Sequence, residues 1–405
     1  MLTIRYAWRN LWRNPKRTAI TLAALIFNTI ALIVIYCLLD GMIVQAIDYA
    51  TNLTIGEVQA HHPEYREELS FYEAIENPEE VMDFARENGI PSAPRSYGYG
   101  LLALESKSAG ARFQGISPAR EKEVFDLHEH MMEGEFLGNE AGLGVVLGKK
   151  LAYSIDAKVG DELVALVQAA DGSLGNELFV VKGILKSVGD QIDRTAAFVH
   201  ADDFEYLFVS GGRVHEIAFN THRGKPIGKT RELLKEEYPD LEILTWRELA
   251  PTFSDMIHVF DQSIIIFLLI FCFAAGLGVL NTLLMATYER MREFGIIKAI
   301  GASPLRIVGD MAVEALLLAI LATAAGVAIG LPLSWYLKIH GIDTTAFGTD
   351  FSFAGIAFDP IWRAHISLDA VSVSIVIVWL SCLVASLYPA ILAARLDPVK
   401  TMRHN

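Results

Sequence analysis

Cysteine is scarce in this 405-residue chain: Cys37, Cys272 and Cys382 are the three, and each sits inside an apolar run. The long polar interval between the first two runs has none, so it holds no disulfide and depends on its own packed core. Basic residues are also in deficit. Thirty-four Lys and Arg stand against 48 Asp and Glu, a net charge of −14, which argues against nucleic acid as a partner. Catalytic motifs are missing as well. The stretch GLGVVLGKK suggests a phosphate loop, but Leu143 stands where the first glycine belongs and Lys150 where Ser or Thr would bind the metal. It reads as a tight strand entry. His61-His62 and the His128, His130 pair lack the cysteine or carboxylate spacing that completes a metal site. Neither a nucleophile elbow nor a zinc-protease motif occurs.

Four long charge-free runs are present: Thr18–Leu39, Gln262–Tyr288, Ala315–Leu337 and Ala370–Ala394, of 22, 27, 23 and 25 residues. About 20 apolar residues cross a ~30 Å hydrocarbon layer, so all four qualify as transmembrane helices. The first is too long for a signal-peptide core and no small-residue cleavage site follows it, which favours an uncleaved anchor. Residues 1–17, 287–310 and those after Ala394 together net +8, whereas the whole chain nets −14. The positive-inside bias therefore predicts both termini and the 287–310 segment in the cytoplasm, with the large acidic interval outside.

The expected class is an α-helical four-span membrane protein with a large mixed α and β extracytoplasmic domain. The predicted order is an interfacial amphipathic helix over 1–17, spans over 18–40, 262–286, 304–338 and 369–394, and the outer domain over 41–261. A cytoplasmic coupling helix over 287–303, an outer loop over 339–368 and a tail over 395–405 complete it. Ile4, Ala7, Trp8, Leu11 and Trp12 form the apolar stripe of the first helix, flanked by Arg5, Arg9 and Arg13. In the outer domain, TIGEVQAHH to NPEEVMDFARENG and RVHEIAFN to LEILTW share a strand–helix–strand grammar. GVVLG, VGDELVALV and ELFVVKGIL read as short strands between them. This predicts an α/β subdomain from about 41–110 and 211–250, interrupted by a β-rich one over about 111–210. Ala322, Gly326 and Gly330, like Ser381 and Ala385, recur every four residues and suit close helix contacts, within one chain or between two. Asp310 and Glu314 lie at the start of the third span, where snorkelling, pairing with Arg306 or proton relay are all open.

The segment TYERMREFGIIKAIGASP, Thr287–Pro304, stands apart. Read as one helix, it aligns Glu289, Glu293, Ile296 and Ile300 on a face, with Gly301 as its C-terminal cap. A carboxylate pair between two spans suits docking of a cytoplasmic partner, or a solvated charged turn. The chain offers a receiver of force but no energy source.

YERMREFGIIKAIGAS closely resembles the signature of the FtsX-like, MacB-type family of ABC transporter permeases. GVVLGKKLAYSIDAKVGDEL with FVVKGILKS resembles that family's periplasmic core domain, and YPAILAARLDPVKTMR its closing motif. The resemblance implies a bacterial inner-membrane permease working as a dimer, with a second copy or paralogue, by mechanotransmission. It implies two separate ABC ATPase subunits that carry ATP and Mg²⁺, with no cofactor or catalytic residue on this chain. The coupling role falls on Glu289, Arg290, Arg292, Glu293, Gly295, Lys298 and Gly301. The lipoprotein-releasing LolC/LolE branch is the nearest in look. It implies a lipoprotein substrate, a periplasmic chaperone and a groove whose candidates are Phe27, Ile30, Val34, Leu38, Met256, Phe260, Ile264 and Phe267. Efflux of peptides, drugs or amphiphiles through an adaptor, and FtsX-like regulation of an external partner, are the alternatives.

Overall fold

The structure is a computed structural model that describes residues 2–221, 224–343, 352–353, 356–357 and 361–395. Residues 344–351, 354–355 and 358–360 of the 339–368 loop and the tail from residue 396 therefore lie outside the described residues, as does the end of the closing motif. The chain divides into two compact units. Its described helices of eight or more residues are α1 Leu2–Leu11, α2 Pro15–Ala50, α3 Pro78–Glu87, α4 Ala201–Phe208, α5 Ile227–Glu237, α6 Pro251–Glu289, α7 Met291–Ala299, α8 Pro304–His340 and α9 Leu368–Ala394.

The first unit comprises residues 1–44, 258–343 and 361–405. Its long helices come from α2, α6, α8 and α9, each long and apolar enough to cross a membrane. At 1.5 Å per residue, the 36, 39 and 37 residues of α2, α6 and α8 outrun a ~30 Å apolar layer. Little apolar driving force draws helices together in lipid, so close approach and polar contacts hold them. A Cβ added at Gly326 would lie 2.6 Å from Thr29 Cβ, so α2 and α8 touch there only because position 326 is glycine. The Thr21 and Thr282 hydroxyls meet at 2.6 Å, and Trp379 Nε1 donates to Thr323 Oγ1 at 3.1 Å. Pro332 and Pro389 both sit inside continuous helices.

The second unit, residues 45–257 with 344–360, is built on a ten-stranded sheet. Its strands are β1 Val58–His61, β2 Ser92–Leu104, β3 Lys107–Ile116, β4 Met131–Gly134, β5 Gly144–Leu147, β6 Glu162–Gln168, β7 Leu174–Leu185, β8 Ala196–His200, β9 Glu216–Phe219 and β10 Glu242–Thr245. The order is β10-β1-β9-β2-β3-β8-β5-β7-β4, with β6 pairing both β2 and β7. The segments with strand–helix–strand grammar supply β1, α3, β9, α5 and β10. Ala60 sits opposite both Ile217 and Ile243, so these strands share one apolar face, covered by Val81, Met82 and Leu234 from α3 and α5. A second core gathers Phe113, Phe179, Phe204 and Phe208. The expected subdomain boundary at 110/111 needs correction: it falls inside β3, which forms a long hairpin with β2. The sheet is continuous through that hairpin, and the separation exists in the cores rather than in the backbone.

Candidate functional site

At the junction between α6 and α8, the predicted single helix is divided. α6 ends at Glu289, Arg290 adopts φ −107° and ψ 10°, and α7 begins at Met291. The break lets Arg290 turn inward, and only 7% of it is exposed. Its Nη1 donates to Glu314 at 3.2 Å, its Nη2 to the Tyr6 hydroxyl at 3.0 Å, and its Nε to Glu293 at 3.3 Å. Glu314 is as buried as Arg290, so each charge needs the other. The partner of Glu314 is therefore Arg290, not the Arg306 considered from sequence.

The two carboxylates expected to face a partner are engaged within the unit. Glu289 accepts from Arg17 and, at 2.9 Å, from Asn14. Glu293 accepts from Arg13 at 2.6 Å. Together with Tyr6, these contacts tie α1 and the start of α2 to α7. Ala7 and Leu11 are buried and α1 packs on α8, while Trp8 and Trp12 stay exposed in an edge-on pair 6.0 Å apart. The predicted stripe is thus split between two faces, and the Ile4 side chain lies outside the described side chains.

Of the other expected coupling residues, Gly295 is buried and Lys298 Nζ donates to the Ala394 carbonyl at 2.8 Å. Gly301, at φ +102°, ends α7 in a conformation that suits glycine. Phe294 anchors α7 among Ile307, Met311, Ala390 and Ala393. Arg292 alone of the set is exposed with no ion pair among the described residues. Within α7 it lies four residues from Ile296, and Ile300 follows at the same spacing just past the helix end. Ile296 is 43% and Ile300 82% exposed, and Leu305 at the start of α8 is 81% exposed. The residues exposed here are largely apolar, with the cations Arg292 and Arg306 among them. Sequence reasoning missed Tyr6, Arg13 and Arg17. A signal existed: Arg13 and Arg17 are four apart, as are Glu289 and Glu293, so two matched rungs were available.

The eight candidate groove residues do not form one cavity. Phe27 lines an apolar crevice of about 330 Å³ between α2 and α6, with Leu25, Asn28, Ile270 and Phe271. Ile30 approaches Gly330 on α8, and Leu38 packs in the bundle interior around Ile33 and Cys37. Ile264 is buried, Phe267 is exposed, and Val34 and Phe260 are half-buried. Met256 belongs to the second unit.

Four apolar helices, a large sheet domain inserted after the first, and a short charged helix locked between the second and third define a multi-pass membrane permease. The family model for the FtsX-like permease C-terminal region matches residues 265–398, and that for the MacB-like periplasmic core domain matches residues 18–237. The chain belongs to this FtsX-like, MacB-type family of ABC transporter permeases, whose members act with ABC ATPases. Over 404 residues it is 22% identical to the lipoprotein-releasing system transmembrane protein LolC of Neisseria meningitidis serogroup B, spanning 96% of this chain and 94% of that one. An uncharacterized ABC transporter permease of Methanocaldococcus jannaschii is 25% identical over 296 residues, 71% of this chain and 69% of that one. The macrolide export ATP-binding/permease protein MacB of Nitrosomonas europaea is 24% identical over 422 residues, 98% of this chain but 58% of that protein. Neither matched region is a nucleotide-binding domain.

Proposed function

We propose that this chain is the permease subunit of an ABC transporter that draws lipid-anchored proteins out of the membrane, as the name of the LolC relative suggests for that protein. The observation that carries the reading is the flank of α6. It is the least covered of the four spans, 17% buried over its apolar window against 33% for each of the others. Beside it lies the α2/α6 crevice, whose walls are almost wholly apolar. Thr21 and Asn28 are the polar residues in it: the Thr21 hydroxyl is taken by Thr282, whereas Asn28 Nδ2 is buried without a hydrogen-bond partner and suits the ester or amide carbonyl of an acyl anchor. A second copy of the chain would complete a groove along this flank.

In this reading separate ATPase subunits, holding ATP and Mg²⁺, dock on Ile296 and Ile300 at the end of α7. Their exposed side chains support an apolar contact beside Arg292, with Glu289 and Glu293 acting as positioning residues that hold α1 in place. The basic excess at the termini and around α7 supports a cytoplasmic location for them and an outer location for the sheet domain. The cell membrane of a bacterium and a periplasmic acceptor for the cargo follow from the same reading.

The test is a photo-crosslinking residue at Phe27 in the full chain, reconstituted in nanodiscs with its ATPase. A triacylated lipopeptide should crosslink there and stimulate hydrolysis, and its deacylated form should do neither. Stimulation by macrolides or unacylated peptides instead would favour an efflux role. Capture of an outer hydrolase by the sheet domain, with no crosslink at Phe27, would favour a regulatory one.

A further inference from the structure

One face of the central sheet is polar where a buried sheet is ordinarily apolar. In the register of β2 and β3, Tyr97 sits opposite Gln114 and Tyr99 opposite Arg112. These four, with Arg95, lie on the same side of the hairpin and line a cavity of about 470 Å³ in the second unit. That volume falls in the range of small-molecule sites. Tyr65 closes one wall, stacked between His61 and His215 at 5.7 and 5.2 Å.

Of the three arginines that line the cavity, Arg66 lies 3.8 Å from Glu242, and the two on the sheet differ from each other. Arg95 is saturated: it donates to Glu121 at 2.6 Å, Glu216 at 3.1 Å and the Thr54 carbonyl at 2.6 Å, and it lies 3.8 Å over the Phe125 ring. Arg112 makes no ion pair among the described residues, and its buried Nε has no hydrogen-bond partner. Its one described contact of note is the Tyr97 ring, 5.0 Å away. The Tyr65 and Tyr97 hydroxyls and the Gln114 amide likewise make no side-chain hydrogen bond among the described residues. Burial pushes both phenols above their ordinary range, so they remain protonated donors. A cation, two hydroxyls and an amide thus converge on one space, where the lining carboxylate, Glu216, is already engaged by Arg95.

We propose that this cavity binds a small carboxylate with an apolar tail, its carboxylate held by Arg112, Tyr97 and Gln114. The charge count selects a monoanion. Arg66 faces Glu242, Arg95 faces Glu121 and Glu216, and Arg112 has no carboxylate of its own among the described residues, so the single unpaired cation suits one added negative charge better than the two of a phosphate dianion. Phe198, Phe253 and Leu53 line the same cavity and receive the apolar portion. The site goes beyond the transport reading and stands whether or not that reading does.

The probe is 4-(trifluoromethyl)phenylacetate, followed by fluorine NMR on the full chain in nanodiscs, with empty nanodiscs as reference. Saturable binding is expected, about tenfold weaker for the corresponding carboxamide, with no competition from inorganic phosphate. R112Q should weaken binding about tenfold and Y97F about threefold, with R112K restoring part of the loss. Melting temperatures of the variants establish that they are folded, and Y97F with Q114L carries the test if R112Q is not. Equal binding of acid and amide, retention in folded R112Q, preference for phosphate, or no saturation up to roughly 10 mM would each overturn the proposal.

Discussion

Each unit buries one arginine between two carboxylates, and the two clusters are built differently. Arg95 in the sheet domain lies among β-strands, with Glu121 and Glu216 both buried and its guanidinium stacked on Phe125. Arg290 in the bundle has one buried partner, Glu314, and one partner, Glu293, whose side chain is 43% exposed. Glu293 in turn reaches Arg13, and Arg290 reaches Tyr6. The first is a buried staple that ties β2 and β9 to the short helix Pro118–Val124. The second is a joint that gathers α1, α7 and α8, with a wet outer edge. Desolvation decides the contrast: a sealed ion pair is expensive to break, whereas a half-exposed one is worth little and can exchange partners. A subunit that relays movement needs rigidity in one place and a separable contact in another.

The comparison breaks most directly at the staple. Glu121→Ala leaves Arg95 with one buried carboxylate in place of two and should destabilise the sheet domain by about 3–5 kcal/mol, read as a lowered thermal midpoint or lost expression of the full chain. Next in size is the α2/α8 contact. Gly326→Leu must displace Thr29 and should cost about 1–3 kcal/mol, measured by denaturation in detergent, without altering the sheet domain's own transition.

A smaller effect comes from His61 and His215, whose imidazoles are held below their ordinary value of 6.5 by burial. His215 Nδ1 accepts from the Tyr97 N–H at 3.0 Å and its Nε2 donates to the Phe71 carbonyl at 2.9 Å, so the neutral ring fits both bonds. The unfolded chain takes up the extra protons first. The stability these rings contribute is therefore present above about pH 6.5 and is lost as pH falls through their lower folded values. The sheet domain's midpoint should drop between pH 7.5 and 5 while the bundle's changes less. The smallest effect belongs to the edge of the joint. Glu293→Ala should cost only ~0.2–1 kcal/mol, yet hydrogen exchange in α1 should rise because the Arg13 tie is gone.

Much of this was legible in the sequence because the strongest signals are local. Charge-free length marks the four spans, and short apolar runs with glycine punctuation mark β5, β6 and β7. The position of α7 between two spans was equally visible. Direction was not. Nothing local says that Arg290 turns inward, since that depends on a helix break at one residue and on a buried Glu314 24 positions away. Glu289 and Glu293 were read as outward-facing because helical periodicity groups residues on a face without saying what the face meets. The continuous sheet was hidden for a related reason: β2 pairs with β3, β6 and β9, and long-range pairing leaves no mark on spacing. Of the groove candidates only Phe27 lines the α2/α6 crevice, and apolar side chains on a span look alike in sequence whether they meet a neighbour, lipid or cargo.

The proposed docking puts the partner ATPase on Ile296 and Ile300 and leaves Glu289 and Glu293 to the joint. The direct measurement is ATPase retention by the full-length permease in nanodiscs, comparing the double variant Ile296→Glu, Ile300→Glu with the double variant Glu289→Ala, Glu293→Ala. The account predicts that the first loses the ATPase and the second keeps it, with a loosened α1. Retention by the isoleucine variant and loss by the glutamate variant would contradict it.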